Sequence, residues 1–112
     1  MPVKCDEYSQ VCVIEVDGDF AGENAIAARH CFDDYLEQKQ ITHFVMHLAK
    51  TTAIDSRGLE TLLQLKRRCE DRVGQFKLAG LSPTLRTVLQ ITRLEHRFDC
   101  QEDLATAVKT MR

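Results

Sequence analysis

The stretch Ile41-Thr42-His43-Phe44-Val45-Met46-His47-Leu48 constrains this chain more than any other. It is short and largely apolar, the pattern of a central strand covered on both faces. Such a strand needs sheet neighbours beside it and helices above and below it. The preceding sequence supplies one helix. From Gly22 to Gln40 the residues Ala28, Cys31, Phe32, Tyr35 and Leu36 recur at helical spacing, while Arg29, Asp33, Asp34 and Glu37 fill the opposite face. A second helix begins near Asp55-Ser56, with Leu59, Leu62, Leu63, the Lys66 stem, Cys69 and Val73 inward, and Glu60, Gln64, Arg67, Arg68 and Asp71 outward. Gly74 is expected to close it as a left-handed cap.

The remaining elements follow the same rhythm. Val11-Cys12-Val13-Ile14-Glu15-Val16 reads as a strand that stops at the turn Asp17-Gly18-Asp19. Gln75 to Leu81 alternates into another strand, and Ser82-Pro83 opens a third helical segment through Leu94, proline being preorganised for a first turn. Phe98 marks a further short strand, and a last helix from Gln101 to Met111 carries Leu104, Ala105, Val108 and Met111 on one stripe. This alternation predicts an α/β fold, a small mixed β-sheet of about four to five strands with about four helices packed on it.

Composition narrows the function classes. With 112 residues, 44% apolar and a net charge of -2, the chain is too hydrophobic and too weakly charged for disorder, and it is expected to form one domain over 1–112. No stretch approaches the ~20 apolar residues of a membrane span, so no direct membrane insertion is expected. Interspersed charges leave no basic stripe for phosphate backbones, which argues against nucleic acid. The acidic start, Met1-Pro2-Val3-Lys4-Cys5-Asp6-Glu7, lacks the apolar run of a signal peptide, so the cytoplasm is the expected compartment. Five cysteines without any C-x-x-C pair are accordingly expected to be reduced, structural thiols.

Catalysis finds little support. Ser56 sits in Ile54-Asp55-Ser56-Arg57-Gly58 without the flanking glycines of a nucleophile elbow, and neither a P-loop nor a dinucleotide fingerprint occurs. His43 and His47 resemble a metal pair, but on a strand they stand about 13 Å apart, beyond one ion's reach. No enzyme activity, metal or cofactor is therefore expected.

What remains is Thr51-Thr52-Ala53-Ile54-Asp55-Ser56-Arg57-Gly58-Leu59, a polar loop that delivers Asp and Ser to the start of an apolar-striped helix. It resembles the Asp-Ser-x-Gly-Leu motif of the STAS family, the domain of bacterial anti-sigma-factor antagonists. The resemblance extends over nearly the whole chain, through Asp17-Gly18-Asp19, Asn24-Ala25, the strand Phe44 to Leu48 and the unit Leu78 to Leu94. It implies a STAS-like fold without catalysis, in which a partner serine kinase that is also an anti-sigma factor phosphorylates the serine matching Ser56 and binds only the unmodified form. Two positions depart from the family pattern: His47 stands where the strand of many relatives ends in an acid, and Arg93 where relatives often carry glycine. If position 93 needs positive φ, the side chain costs about 1 kcal/mol.

The residues themselves allow both a capping and a switching role at this site. Either Asp55 or Ser56 could accept a backbone N–H at the helix start, worth about 1 kcal/mol. A phosphate on Ser56 would add about -1.5 to -2 of charge, which a helix N-terminus tolerates but a close-docked partner beside Asp55 would not. Arg57 is placed to neutralise part of that charge. Gly58 in the first turn suggests close approach of a backbone or a partner. Thr51 and Thr52 are alternative phosphoacceptors, although Thr52-Ala53-Ile54-Asp55 also fits a capping box. The expected partner surface comprises Asp55, Ser56, Arg57, Gly58, Glu60 and Gln64. The alternative is an accessory subunit of a lipid- or anion-transport assembly in which Ser56 only caps, and a third reading is an anion or nucleotide site at the helix start.

Overall fold

The computed structural model describes residues 2–111. The chain starts with a hairpin, β1 (Val3–Tyr8) against β2 (Val11–Val16), whose two-residue turn holds Ser9 at φ 48° and Gln10 at φ 71°. Then come β3 (Gly18–Phe20), α1 (Gly22–Glu37), β4 (His43–His47), β5 (Thr51–Ile54), α2 (Ser56–Asp71), β6 (Phe76–Ala79), α3 (Pro83–Ile91), β7 (Asp99–Gln101) and α4 (Leu104–Lys109). The main sheet has the order β1-β2-β4-β6-β7, antiparallel in the first pair and parallel in the others. This is the mixed sheet with helices that the sequence pattern predicts. β3 and β5 make a second, two-stranded parallel sheet.

Strand alternation sorts the core into two parts. Cys12, Ile14, Val16, Phe44, Met46, Leu48 and Leu78 face α1 and α2, where Phe32, Leu36, Leu62, Leu65 and Cys69 meet them and the Phe32 and Phe44 rings lie 4.2 Å apart. α3 adds Leu85 and Leu89 to the same core. On the opposite face Val11, Val13, Val45 and Ala79 are covered by Ala107 of α4, with Leu104 and Val108 beside it.

The last helix begins at Leu104 instead of Gln101, which belongs to β7, and three further expectations need correction. Helix α2 ends at Asp71, and the left-handed residue is Val73 at φ 58°, not Gly74. The Gly74 amide donates to the Cys69 carbonyl (2.8 Å) and the Val73 amide to that of Glu70 (3.0 Å), the two bonds of a Schellman motif. Gly74 is required one position later for space: a Cβ there would stand 1.9 Å from the Thr42 carbonyl oxygen. Val73 is thus exposed rather than inward, and Leu65 takes a core position. Helix α3 stops at Ile91 instead of continuing to Leu94, closed by a second Schellman motif in which Arg93 adopts φ 60° and the Leu94 amide reaches the Leu89 carbonyl (2.9 Å).

The third correction concerns the thiols. Cys5 and Cys31 form a disulfide with a Cα–Cα distance of 6.5 Å, while Cys12, Cys69 and Cys100 are free. Pairing with Ile14 turns Cys5 toward the helix side of the edge strand, and α1 carries Cys31 over it. Their separation of 26 residues hid that contact, which exists only once strand register and helix position are known. Burial pushes the Cys12 and Cys69 thiols up to about 12.

Candidate functional site

The loop between β5 and α2 is built by the short second sheet. Strand β5 occupies Thr51–Ile54, a stretch whose polar residues read as loop, because β3 lies alongside it and its backbone is also braced from α3. The Gly18 amide donates to the Lys50 carbonyl (3.0 Å), the Thr51 hydroxyl to the Val16 carbonyl (2.9 Å), and the Ser82 hydroxyl to the Thr51 carbonyl (3.0 Å). Thr51 is therefore buried and structural. Thr52 is exposed, but its hydroxyl is engaged with Asp19 Oδ1 (3.0 Å), so the capping box read from Thr52 to Asp55 does not form. Asp19 in turn holds Asn24 Nδ2 on its carbonyl (2.8 Å), tying the loop to α1.

Asp55, in an extended conformation, is the N-cap of α2. Its Oδ1 accepts the Gly58 amide at 2.8 Å, and its carbonyl accepts the Leu59 amide at 3.0 Å. The choice between Asp55 and Ser56 as cap is thereby made. Ser56 is the first residue of the helix, exposed, and its hydroxyl has no hydrogen-bond partner among the described residues. A side chain at this position points at solvent beside free first-turn amides, the place where a helix best tolerates added negative charge.

Gly58 is placed differently from its expected neighbours. It is buried, and a Cβ would stand 2.2 Å from the Phe20 carbonyl oxygen and 2.8 Å from Ile54 Cγ1. The close approach that the glycine signals is therefore to the chain's own β3, and Gly58 seats the helix instead of facing a partner. Asp55, Arg57, Glu60 and Gln64 are exposed. Arg57, Glu60 and Gln64 line a groove of about 350 Å³ shared with Gly22, Ile26 and Arg29 of α1. Ile26 and Thr61 do not stand out in the sequence, and Arg29 reads there only as part of a solvated helix face, because only the packing of α1 beside α2 turns two solvated faces into one concavity.

His47 lies at the end of β4 in register with Glu15 of β2. Its Nδ1 stands 3.3 Å from Glu15 Oε2, and Lys50 Nζ lies 3.8 Å from the other carboxylate oxygen. His43 accepts the Gln75 amide on Nδ1 (3.1 Å), a structural bond between β4 and the start of β6. Among the described residues no cluster of His, Cys, Asp and Glu is arranged to hold a metal, and no helix is long and apolar enough to cross a membrane.

Comparison with known proteins agrees with this geometry. No curated protein matches the chain in sequence. A Thermotoga maritima protein classed as an anti-sigma factor antagonist superposes with a TM-score of 0.88 at 18% identity, covering 98% of this chain and 94% of the other. The Bacillus cell fate determinant SpoIIAA in its phosphorylated form gives 0.76 at 21% identity, covering 98% and 99%. The unphosphorylated form of SpoIIAA, an anti-sigma factor antagonist, gives 0.81 at 20%, covering 96% and 93%. A sulfate transporter family protein from Wolinella succinogenes gives 0.66 at 22%, covering 91% and 88%. At these identities the structural likeness speaks for the fold alone, and the sequence speaks for itself: the STAS domain model matches residues 3–107, nearly the whole of the described chain, and the protein belongs to the STAS domain family.

Proposed function

We propose that this chain, acting as one module over 1–112, is an anti-sigma-factor antagonist that binds a partner serine kinase/anti-sigma factor and is released by phosphorylation of Ser56. The observation that carries the reading is the division of labour at the start of α2: Asp55 supplies the cap, and the adjoining Ser56 hydroxyl is exposed and unbonded among the described residues. A phosphate added there would displace no structural bond. Bacillus SpoIIAA, which shares the fold, has been solved with and without phosphate. The exposed Asp55, Arg57, Glu60 and Gln64 make the surrounding surface, with no catalytic group and no cofactor required.

A dianion beside Asp55 at about 4 Å meets a unit-charge repulsion of ~1 kcal/mol in water and ~4 kcal/mol at an effective dielectric of 20. Docking a partner supplies the lower dielectric, so the charge weakens the complex far more than it weakens the fold. The test is phosphopeptide mapping of the protein isolated from its own cells, followed by binding of Ser56→Asp to the co-purified partner. No phosphate at residue 56 under any growth condition, or undiminished binding by Ser56→Asp, rejects the switch.

The likeness to the Wolinella sulfate transporter family protein supports a second reading, an accessory subunit of a lipid- or anion-transport assembly without phosphorylation. Co-purification of transporter subunits, with residue 56 unmodified, selects it.

A further inference from the structure

α1 and α2 lie side by side, and their two ends treat arginine differently. At the C-terminal half, Arg68 is bonded to Asp33 and lies 3.6 Å from Glu37, and Arg72 reaches the same Glu37 at 2.8 Å. At the N-terminal half, Arg29 and Arg57 line the groove between the helices, and neither has an ion pair among the described residues. The one acid in the groove lining, Glu60, leaves an excess of positive charge there. At the start of α1, Ala21 is the N-cap and supplies no side-chain acceptor to the first-turn amides, and the acid of that turn, Glu23, lies outside the groove lining. Beside these cations the groove has an apolar wall. Ile26 is 47% exposed, one of few large apolar side chains left uncovered.

We propose that this groove receives a partner segment that combines an apolar side chain, laid against Ile26, with a carboxylate held between Arg29 and Arg57. The proposal deepens the reading given above and rests on it for the existence of a protein partner. Charge complementarity argues for the chemistry of the occupant: two guanidinium groups lining one groove, neither in an ion pair among the described residues, favour a carboxylate, and a neighbouring apolar wall selects against a fully hydrated ion. The groove is also continuous with the exposed surface that includes Arg57, Glu60 and Gln64 beside Ser56. Arg29 thereby becomes a partner-specificity residue, and Arg57 is shared between the groove and the modified serine. A phosphate on Ser56 would draw Arg57 out of the groove as well as repelling the incoming carboxylate.

The experiment uses a random dodecapeptide library selected on the immobilised full chain, with the best peptide then titrated by heteronuclear NMR. The expected consensus places Asp or Glu next to Leu, Ile, Val or Phe, and shifts concentrate at Gly22, Ile26, Arg29, Thr61 and Gln64. Arg29→Glu should weaken the peptide Kd by about tenfold or more, and Arg29→Gln severalfold, with core resonances unmoved in both. No enrichment, a consensus without acids, shifts centred on Tyr8 and α4, or an Arg29→Glu protein that binds as tightly as the parent overturns the proposal. Millimolar inorganic phosphate or ATP producing the same shifts also overturns it, by assigning the groove to a free anion. The assay contains neither kinase nor phosphate on the protein, so its failure leaves Ser56 switching untouched. Failure to find phosphate at Ser56 likewise leaves the peptide result standing.

Discussion

Removing each of the two candidate caps of α2 separates structural from functional use of the Asp55-Ser56 pair. The Asp55 carboxylate accepts the Gly58 amide at 2.8 Å in a partly buried setting, so Asp55→Ala strips an N-cap and should destabilise the protein by about 1 kcal/mol, within a range of about 0.5–2. For a chain of 112 residues this is a fall in Tm of about 4 °C. Asp55→Asn keeps an acceptor of equal capping strength and should lose only a few tenths of a kcal/mol. Ser56→Ala removes a hydroxyl that bonds to nothing among the described residues and places the best helix former in the first turn, so its stability should stay within about 0.5 kcal/mol of the parent. Urea denaturation of the three variants, with the m-value held constant, reads these differences directly. The reasoning is refuted if Ser56→Ala costs as much as Asp55→Ala: the serine would then be a cap, its phosphorylation would break a structural bond, and partner release without unfolding would lose its physical basis.

Other positions give equally definite outcomes. Val73 is a β-branched residue at φ 58°, so Val73→Gly should stabilise the protein by about 1 kcal/mol, and a lowered urea midpoint would contradict the Schellman geometry. Gly58→Ala forces a Cβ to 2.2 Å from the Phe20 carbonyl oxygen and should cost about 1–3 kcal/mol, with chemical shift changes spreading through β3; a neutral effect would show that the helix start is not seated as described. Reducing Cys5–Cys31 releases a loop closed over a separation of 26 residues and should cost about 3.5 kcal/mol by loop entropy, measured as the urea midpoint with and without dithiothreitol. Cys12 and Cys69 have thiols raised from 9.0 to about 12, so the folded state holds protons that the unfolded state releases. Stability should therefore be unaffected by these groups below pH 9.0 and fall as pH rises toward 12, a decline that Cys12→Ala with Cys69→Ala should flatten.

How much of this was legible in the sequence depended on whether a residue's role is set locally. The helical stripe through Phe32 and Leu36, the central strand around Phe44 to Met46, and the Ser82-Pro83 helix start are local patterns, and they fold as read. The edge strand β1 leaves little trace in the sequence, because its turn places Ser9 and Gln10 at positive φ without the Asn-Gly or Asp-Gly signature of such turns. The two threonines of β5 look like turn residues until β3 lies alongside them. At α2, capping chemistry was readable as a pair of candidates, but the choice of Asp55 over Ser56 is a matter of which oxygen reaches the Gly58 amide. Gly74 illustrates the same limit: the glycine was visible, but its cause was the Thr42 backbone more than thirty residues away, and the strained conformation passed to Val73.

The departure at His47 shows how a sheet can restore what a strand has lost. An acid at the end of β4 would place a fixed negative charge below the loop between β5 and α2, and histidine in its place removes it. Parallel pairing sets Glu15 of β2 directly opposite His47, and the carboxylate reaches to 3.3 Å from the imidazole and 3.8 Å from Lys50, close to where β5 begins. The negative charge is thus still present at this level of the sheet, carried by the neighbouring strand, with the Lys50 ammonium 3.8 Å from it. It is a more compensated charge than a lone carboxylate, so the loop beside Ser56 receives a weaker field from beneath, and under the function proposed above discrimination between partners would fall more heavily on the exposed side, where Asp19, Asp55 and the arginines of the α1–α2 groove are arranged.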